Sequence, residues 1–284
     1  MSKTAEKATA GSLVTHREFK LLLKPEKFPT RRAVLEFNDY LAGVAKTLGV
    51  HYEPVEALDA QLRIVQFYDT KAEDLRKNKL IFRIRQIRES VWPGESWELT
   101  FKCRAPEYEK AAAFNTDTTL TKLQRKKFKE ELLRGEEPGT MVKIFSNNVI
   151  VQYPDISVET EFPISRLADK LPHLRTLGLN PDDTLAVVAG AKVFELQSTL
   201  GNFSFGHGVT AHATLALWAR PVPDRFEPLV AEFGFSTHVL GKDEKEEKGQ
   251  RAADEFFKAM QAPLRDYLSE GTTKTALIYG DVGA

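Results

Sequence analysis

The sequence predicts an α+β protein, an antiparallel sheet or barrel with helices packed outside it. Three observations carry this. Short runs of alternating apolar and polar residues recur along the chain. Turn-prone Pro, Gly, Asn and Asp residues separate many of them. Stretches of helical spacing fill the gaps.

The strand-like runs cover 15–23, 61–69, 80–87, 96–104, 156–162, 191–197, 211–220 and 229–238, with 142–152 as a further candidate. A first helix is capped by Thr30, buries Val34, Leu35, Leu41, Val44, Ala45 and Leu48 on one face, and stops at Gly49. A second is expected over 119–134, carrying the basic run Arg125, Lys126, Lys127 and Lys129. That run reads as a solvated face; a nucleic-acid patch is the sharper alternative, but no base-stacking aromatic interleaves it. A third helix is expected from 244 to 268, kinked or broken at Pro263.

Composition narrows the class. The chain has 284 residues, with Lys+Arg 40 balanced by Asp+Glu 40. A net charge of zero argues against a whole-surface polyanion binder and leaves room for a local basic pocket. The one cysteine, Cys103, excludes an internal disulfide and falls on the apolar face of its strand, as a buried thiol. No apolar run is long enough to cross a bilayer. The start lacks the apolar segment of a secretory signal, so a cytoplasmic location is expected. Residues 1–12 read as a disordered tail and 13–284 as one domain. The 201–208 stretch, glycine-bearing but irregular, reads as a turn.

The informative feature is charge inside strands, where residues two apart share a face. His16, Glu18, Lys20 and Leu22 share one; Arg83 and Arg85 another; Thr100, Lys102 and Arg104 a third; Glu159 and Glu161 a fourth. Glu232 and Gly234 oppose Phe233 and Phe235. One such strand suggests a sheet with a wet side. Several together suit a closed barrel whose lumen holds a polyanion and a divalent cation. Arg and Lys would take phosphate oxygens, and carboxylates a hard metal ion.

These residues resemble motifs of the CYTH family, the triphosphate tunnel metalloenzymes. His16-Arg17-Glu18-Phe19-Lys20 resembles its ExExK signature, with His16 for the first acid. Gln66-Phe67-Tyr68-Asp69-Thr70, followed by Leu80-Ile81-Phe82-Arg83-Ile84-Arg85, resembles YFDT and LRIR. Trp97-Glu98-Leu99-Thr100-Phe101-Lys102 resembles W-x-LTxK, and Val230-Ala231-Glu232-Phe233-Gly234 resembles EIExE with its second acid lost. Lys274 resembles a late lysine of some members.

The resemblance implies an antiparallel eight-stranded tunnel with helices outside, binding a triphosphate-containing small molecule. It implies that Glu18, Glu232 and either Glu159 or Glu161 hold Mg²⁺ or Mn²⁺. Lys20, Arg83, Arg85 and Lys102 would hold phosphates, with Lys192 and Lys274 as further candidates; both also read as surface lysines. Asp69 and Tyr68 read as structural. His16 is a candidate metal ligand or general base, or a polar residue at the mouth. His16, Glu18 and Lys20 form the candidate catalytic set. The family's chemistries include triphosphate hydrolysis and nucleotide cyclisation. The loss of two acids also admits a weakly catalytic or purely binding tunnel. Neither the sequence nor the resemblance assigns an oligomeric state.

Overall fold

The alternating runs become strands, and nine of them close a ring. The computed structural model describes residues 14–88, 96–121, 123–152, 161–241, 243–270 and 274–280. The first third holds β1 (His16–Leu23), α1 (Arg31–Thr47), β2 (His51–Pro54), β3 (Ala60–Asp69), α2 (Asp74–Lys77) and β4 (Leu80–Arg88). Next come β5 (Ser96–Ala105), α3 (Tyr108–Ala112), β6 (Gln124–Arg134), β7 (Met141–Gln152), β8 (Glu161–Pro163) and α4 (Ile164–Ala168). The last third holds β9 (Thr184–Val187), β10 (Val193–Ser204), β11 (Thr210–Val222), β12 (Arg225–His238), α5 (Glu244–Ala259) and α6 (Lys274–Ile278).

Around the ring the order is β3, β10, β11, β12, β1, β6, β7, β5, β4 and back to β3. Neighbours are antiparallel except β1 and β6, which run parallel with His16 opposite Lys129 and Lys20 opposite Leu133. The expected eight-stranded, wholly antiparallel tunnel is therefore corrected to a mixed barrel of nine. Parity explains it: directions cannot alternate around a ring with an odd number of strands. The short β2 extends β10, and β9 and β8 extend β3 outside the ring.

The added strand is β6, where a helix is expected. Its Gln, Lys, Glu and Leu residues favour helix, but pairing to β1 and β7 overrides that propensity. Phe128 and Leu132 are buried on its outer side. Arg125, Lys127, Lys129 and Glu131 take the opposite parity and line the lumen. The solvated-face reading of the basic run thus fails for Lys127 and Lys129; Arg125 lines the lumen but stays half exposed, and Lys126 points away.

The barrel is apolar outside and charged inside. One cluster packs Phe19, Leu21, Phe233 and Phe235 of the outer wall against Phe37 and Leu41 of α1 and Phe256 and Phe257 of α5. Each such buried ring or leucine contributes roughly 1.5–3 kcal/mol. Thr30 Oγ1 caps α1 by accepting from the Ala33 N–H at 3.2 Å, as its sequence position predicts. Asp243 caps α5 through the N–H groups of Lys245 and Glu246. That helix ends at Ala259, and turns carry the chain on through Pro263, so it is shorter than expected. A second cluster covers β3, β4, β5 and β7 with Leu167, Leu171 and Leu174, and Cys103 is buried in it. The 201–208 region is the end of β10 and a hairpin turn, with Gly206 and Gly208 at positive φ. Gly201 is required by close approach: a Cβ there would lie 2.3 Å from the Glu53 carbonyl oxygen.

Candidate functional site

The lumen is a cavity of about 1090 Å³ lined by eleven Lys or Arg and seven Glu residues, a net excess of four positive charges. Strand alternation puts them there. β1 supplies Glu18 and Lys20; β3, Arg63; β4, Arg83 and Arg85; β5, Glu98, Lys102 and Arg104. β6 supplies Arg125, Lys127, Lys129 and Glu131, β10 Glu195, and β12 Glu232. Lys274 enters from α6, whose Ile278 packs with Phe67, Trp218 and Val230. Tyr279 anchors that segment by donating to Asp69 Oδ2 at 2.9 Å. Asp69 also accepts from the N–H groups of Thr70, Leu75 and Arg76, which fits the structural role expected of it.

The carboxylates are threaded between cations. Lys20 Nζ lies 2.8 Å from Glu18 and 3.2 Å from Glu131. Glu18 also accepts from Lys129 at 3.1 Å. Glu131, 2% exposed, meets Arg104 at 2.9 Å and Lys102 at 3.8 Å. Glu98 lies between Arg125 (3.1 Å) and Arg85 (3.3 Å). Glu195, 1% exposed, accepts from Trp218 Nε1 at 2.7 Å and meets Arg63 at 3.1 Å, Arg85 at 3.4 Å and Lys274 at 3.8 Å. Lys274 then reaches Glu232 at 2.9 Å.

These neighbours set the protonation states. Burial alone would raise the carboxyl of Glu18, but Lys129 and Lys20 outweigh it and hold it well below the usual carboxylate range. Glu195 is held low in the same way, against its burial, by Arg85, Lys274 and Arg63. Glu131 is held low by Lys20, Lys102 and Arg104. Lys20 is driven up despite burial, by Glu131, Glu18 and Glu232.

Three cations are left short of negative charge. Arg83 has no carboxylate partner among the described residues; its Nη2 donates to Thr100 Oγ1 at 3.1 Å and its Nε is buried without a partner. Burial, with Arg85 beside it, lowers its pKa to about 9. Among the described residues Lys102 has only the long contact to Glu131. Burial, with Lys20, Arg104 and Arg83 nearby, lowers it to about 7. Lys127 is lowered by burial and by Lys129, and no carboxylate pairs with it among the described residues. Arg85 Nε, Ser146 Oγ and Asn148 Oδ1, also on the lumen wall, are buried and unpartnered. Buried polar atoms without partners are costly, and an anionic ligand would supply acceptors for the N–H and O–H donors among them, though not for the Asn148 oxygen.

The predicted residues divide. Glu18, Lys20, Arg83, Arg85, Lys102, Glu232 and Lys274 converge on the lumen. Lys274 is 15% exposed and ion-paired, not the solvated lysine its position also suggests. Lys192 does not converge: it is exposed, just before β10, and Glu195 is the residue that strand turns inward. Glu161 is exposed on β8, outside the ring, and Glu159 lies outside the described residues. Of the expected strand 156–162, residues 156–160 lie outside the described residues, and 161–162 belong to β8. His16 is not among the lumen-lining residues. Its ring sits 4.4 Å from that of His238, and burial with Lys127 lowers its pKa to about 4, so the imidazole is neutral at pH 7. Gly234 faces the lumen beside Lys20. Sequence reading missed Glu131, Glu195, Arg63 and the β6 cations.

The donor set does not fit a resident Mg²⁺ or Mn²⁺. Among the described residues no three His, Cys, Asp or Glu side chains gather as a metal-binding group. Glu18 and Glu232, which the resemblance assigns to metal, each face a lysine at under 3 Å. A hard cation needs several oxygen ligands around one point, and here ammonium and guanidinium groups stand between them.

No family model matches the chain, and no curated protein matches it. Solved structures do. A candidate adenylyl cyclase from Hippeastrum, described as having a dominant triphosphatase activity, is 13% identical over 95% of this chain and 98% of that one, with a TM-score of 0.43. A candidate adenylate cyclase from Bacillus halodurans is 11% identical over 93% and 97%, TM-score 0.38. One from Vibrio parahaemolyticus is 14% identical over 93% and 98%, TM-score 0.35. At these scores the likenesses decide nothing about activity. What the coordinates themselves define is a closed β-barrel with a charged lumen. No described helix is long and apolar enough to cross a membrane.

Proposed function

We propose that the lumen binds a triphosphate-bearing small molecule, an inorganic tripolyphosphate or a nucleotide, and that the chain is a divergent CYTH-type tunnel protein. The observation that carries this is Arg83: a buried guanidinium with cationic neighbours, an unsatisfied Nε and, among the described residues, no carboxylate within ion-pair distance. Such a group calls for an anion with several acceptor oxygens, and phosphate oxygens match guanidinium geometry. Lys102 and Lys127 supply the adjoining charge.

Cleavage of a phosphoanhydride bond is the second reading, and Lys102 favours it. An arriving polyanion drives its amine to the protonated form. A proton held there can serve a leaving phosphate oxygen, while Lys20, Arg83 and Arg85 stabilise the charge that develops.

The test is titration of the purified chain with sodium tripolyphosphate, ATP, GTP and thiamine triphosphate, with products identified by phosphorus NMR. Binding of at least one, lost in Lys20→Ala and Arg83→Gln, is expected. Orthophosphate release would establish hydrolysis, and pyrophosphate with a cyclic nucleotide would establish cyclisation. Failure of the wild-type chain to bind any of the four overturns the proposal.

A further inference from the structure

The ion pairs inside the barrel say in which form the ligand is taken, given that it is a triphosphate as proposed above. Among the described residues no three acidic side chains gather at one point. Neighbouring carboxylates share protein cations: Lys20 joins Glu18 to Glu131, Arg85 joins Glu98 to Glu195, and Lys274 joins Glu195 to Glu232. A metal ion entering at Glu18 must displace two lysines, at 2.8 and 3.1 Å. The charge balance agrees. The lumen carries an excess of four positive charges. A metal-free nucleoside triphosphate carries roughly four negative charges at neutral pH and inorganic tripolyphosphate roughly five, since a terminal phosphate's second ionisation falls near pH 6. One bound Mg²⁺ removes two of these and leaves the lumen undercompensated.

We propose that the tunnel captures its triphosphate as the metal-free anion, with Lys20 and Lys274 standing where a divalent ion would bridge the carboxylates. Mg²⁺ then competes with the protein for the ligand. In this arrangement Glu18 is a counter-ion: it neutralises Lys20 and Lys129 while the lumen is empty and opposes the incoming charge.

The experiment titrates sodium tripolyphosphate into the full chain by calorimetry, once in EDTA and once in excess Mg²⁺, alongside Glu18→Gln. The expected result is binding in EDTA, weakened at least tenfold by Mg²⁺. Glu18→Gln removes one negative charge beside the bound anion and should bind about tenfold more tightly in EDTA. Binding that appears only with Mg²⁺, or that Glu18→Gln weakens in Mg²⁺, overturns metal-free capture and leaves triphosphate binding standing. No binding in either buffer overturns triphosphate binding, and this inference with it. Paramagnetic titration of the wild-type chain with Mn²⁺ alone is an independent check: no stoichiometric Mn²⁺ should be held, and a tightly held equivalent would contradict the inference.

Discussion

Replacing Glu195 by Gln tests the inside-out charge arrangement most directly. The residue is 1% exposed and its carboxylate meets three cations, at 3.1, 3.4 and 3.8 Å. At an effective dielectric near 20 each contact is worth roughly 4–5 kcal/mol gross. Desolvation takes back most of that, and orphaning a buried charge by removing its partner costs about 3–5 kcal/mol net. Glutamine keeps the shape and an oxygen for Trp218 Nε1, so the loss is electrostatic, not steric. A penalty of about 4 kcal/mol should lower Tm by roughly 8–16 °C. Thermal and urea unfolding would read it. Sodium tripolyphosphate should restore more stability to the variant than it adds to the wild type, because it supplies negative charge where Glu195 was. A penalty below about 1 kcal/mol, or equal ligand-induced gains in both proteins, would refute the claim that the lumen's cations are held by its acids.

Arg83→Gln should separate binding from stability. Tripolyphosphate affinity should fall about 100-fold, two charge-assisted bonds' worth, while urea unfolding shows no loss, since the guanidinium lacks a carboxylate partner among the described residues; a destabilised variant would mean Arg83 is structural. Lys102, at about 7 in the fold against an ordinary 10.5, is unprotonated above pH 7 where the unfolded chain still holds its proton. Its contribution therefore makes stability rise with pH between about 7 and 10.5. Ligand binding returns that proton, so calorimetry at pH 7.5 in buffers of different ionisation heat should show proton uptake, absent in Lys102→Met. Glu18, Glu131 and Glu195 are held below their ordinary range. The stability they confer is present above the unfolded value, about 4.3, and is lost as pH falls below it; urea midpoints at pH 7 and pH 3.5 would show this. Gly201→Ala should cost about 1–3 kcal/mol by overpacking, because its Cβ would meet Glu53 at 2.3 Å.

Much of this was legible in the sequence where alternation is clean. β1, β4, β5 and β12 each set aromatic or aliphatic residues against charged ones, and their inward faces come out as the period of two requires. β6 was not, because its residues are good helix formers and only its remote partners make it a strand. Glu195 was hidden beside Lys192: the two are three apart, so only one can face inward, and the apolar Val193 with its inward-paired successor Glu195 was the signal. Glu161 obeys strand parity but sits on a strand the ring excludes. Lys274 lies on a five-residue helix that carries no periodic signature, and only the docking of Ile278 and Tyr279 aims it inward.

The parallel seam has a consequence for how the barrel comes into being. β1 has no neighbour close in sequence. On one side it pairs with β12, on the other with β6, whose Phe128 lies 113 positions from Thr15. The seam between β3 and β10 is also remote, with Val65 opposite Val193, but each of those strands has a near neighbour on its other side; among the ring strands β1 has two partners that are both distant in sequence. Pairings this remote form slowly, because long loops must close before any contact rewards them. β1 is thus the stave that completes the cask. Glu18 and Lys20 ride on it, so the charged interior gains its central ion pair only when the wall shuts, and the capacity to hold an anion should appear with the slowest refolding phase.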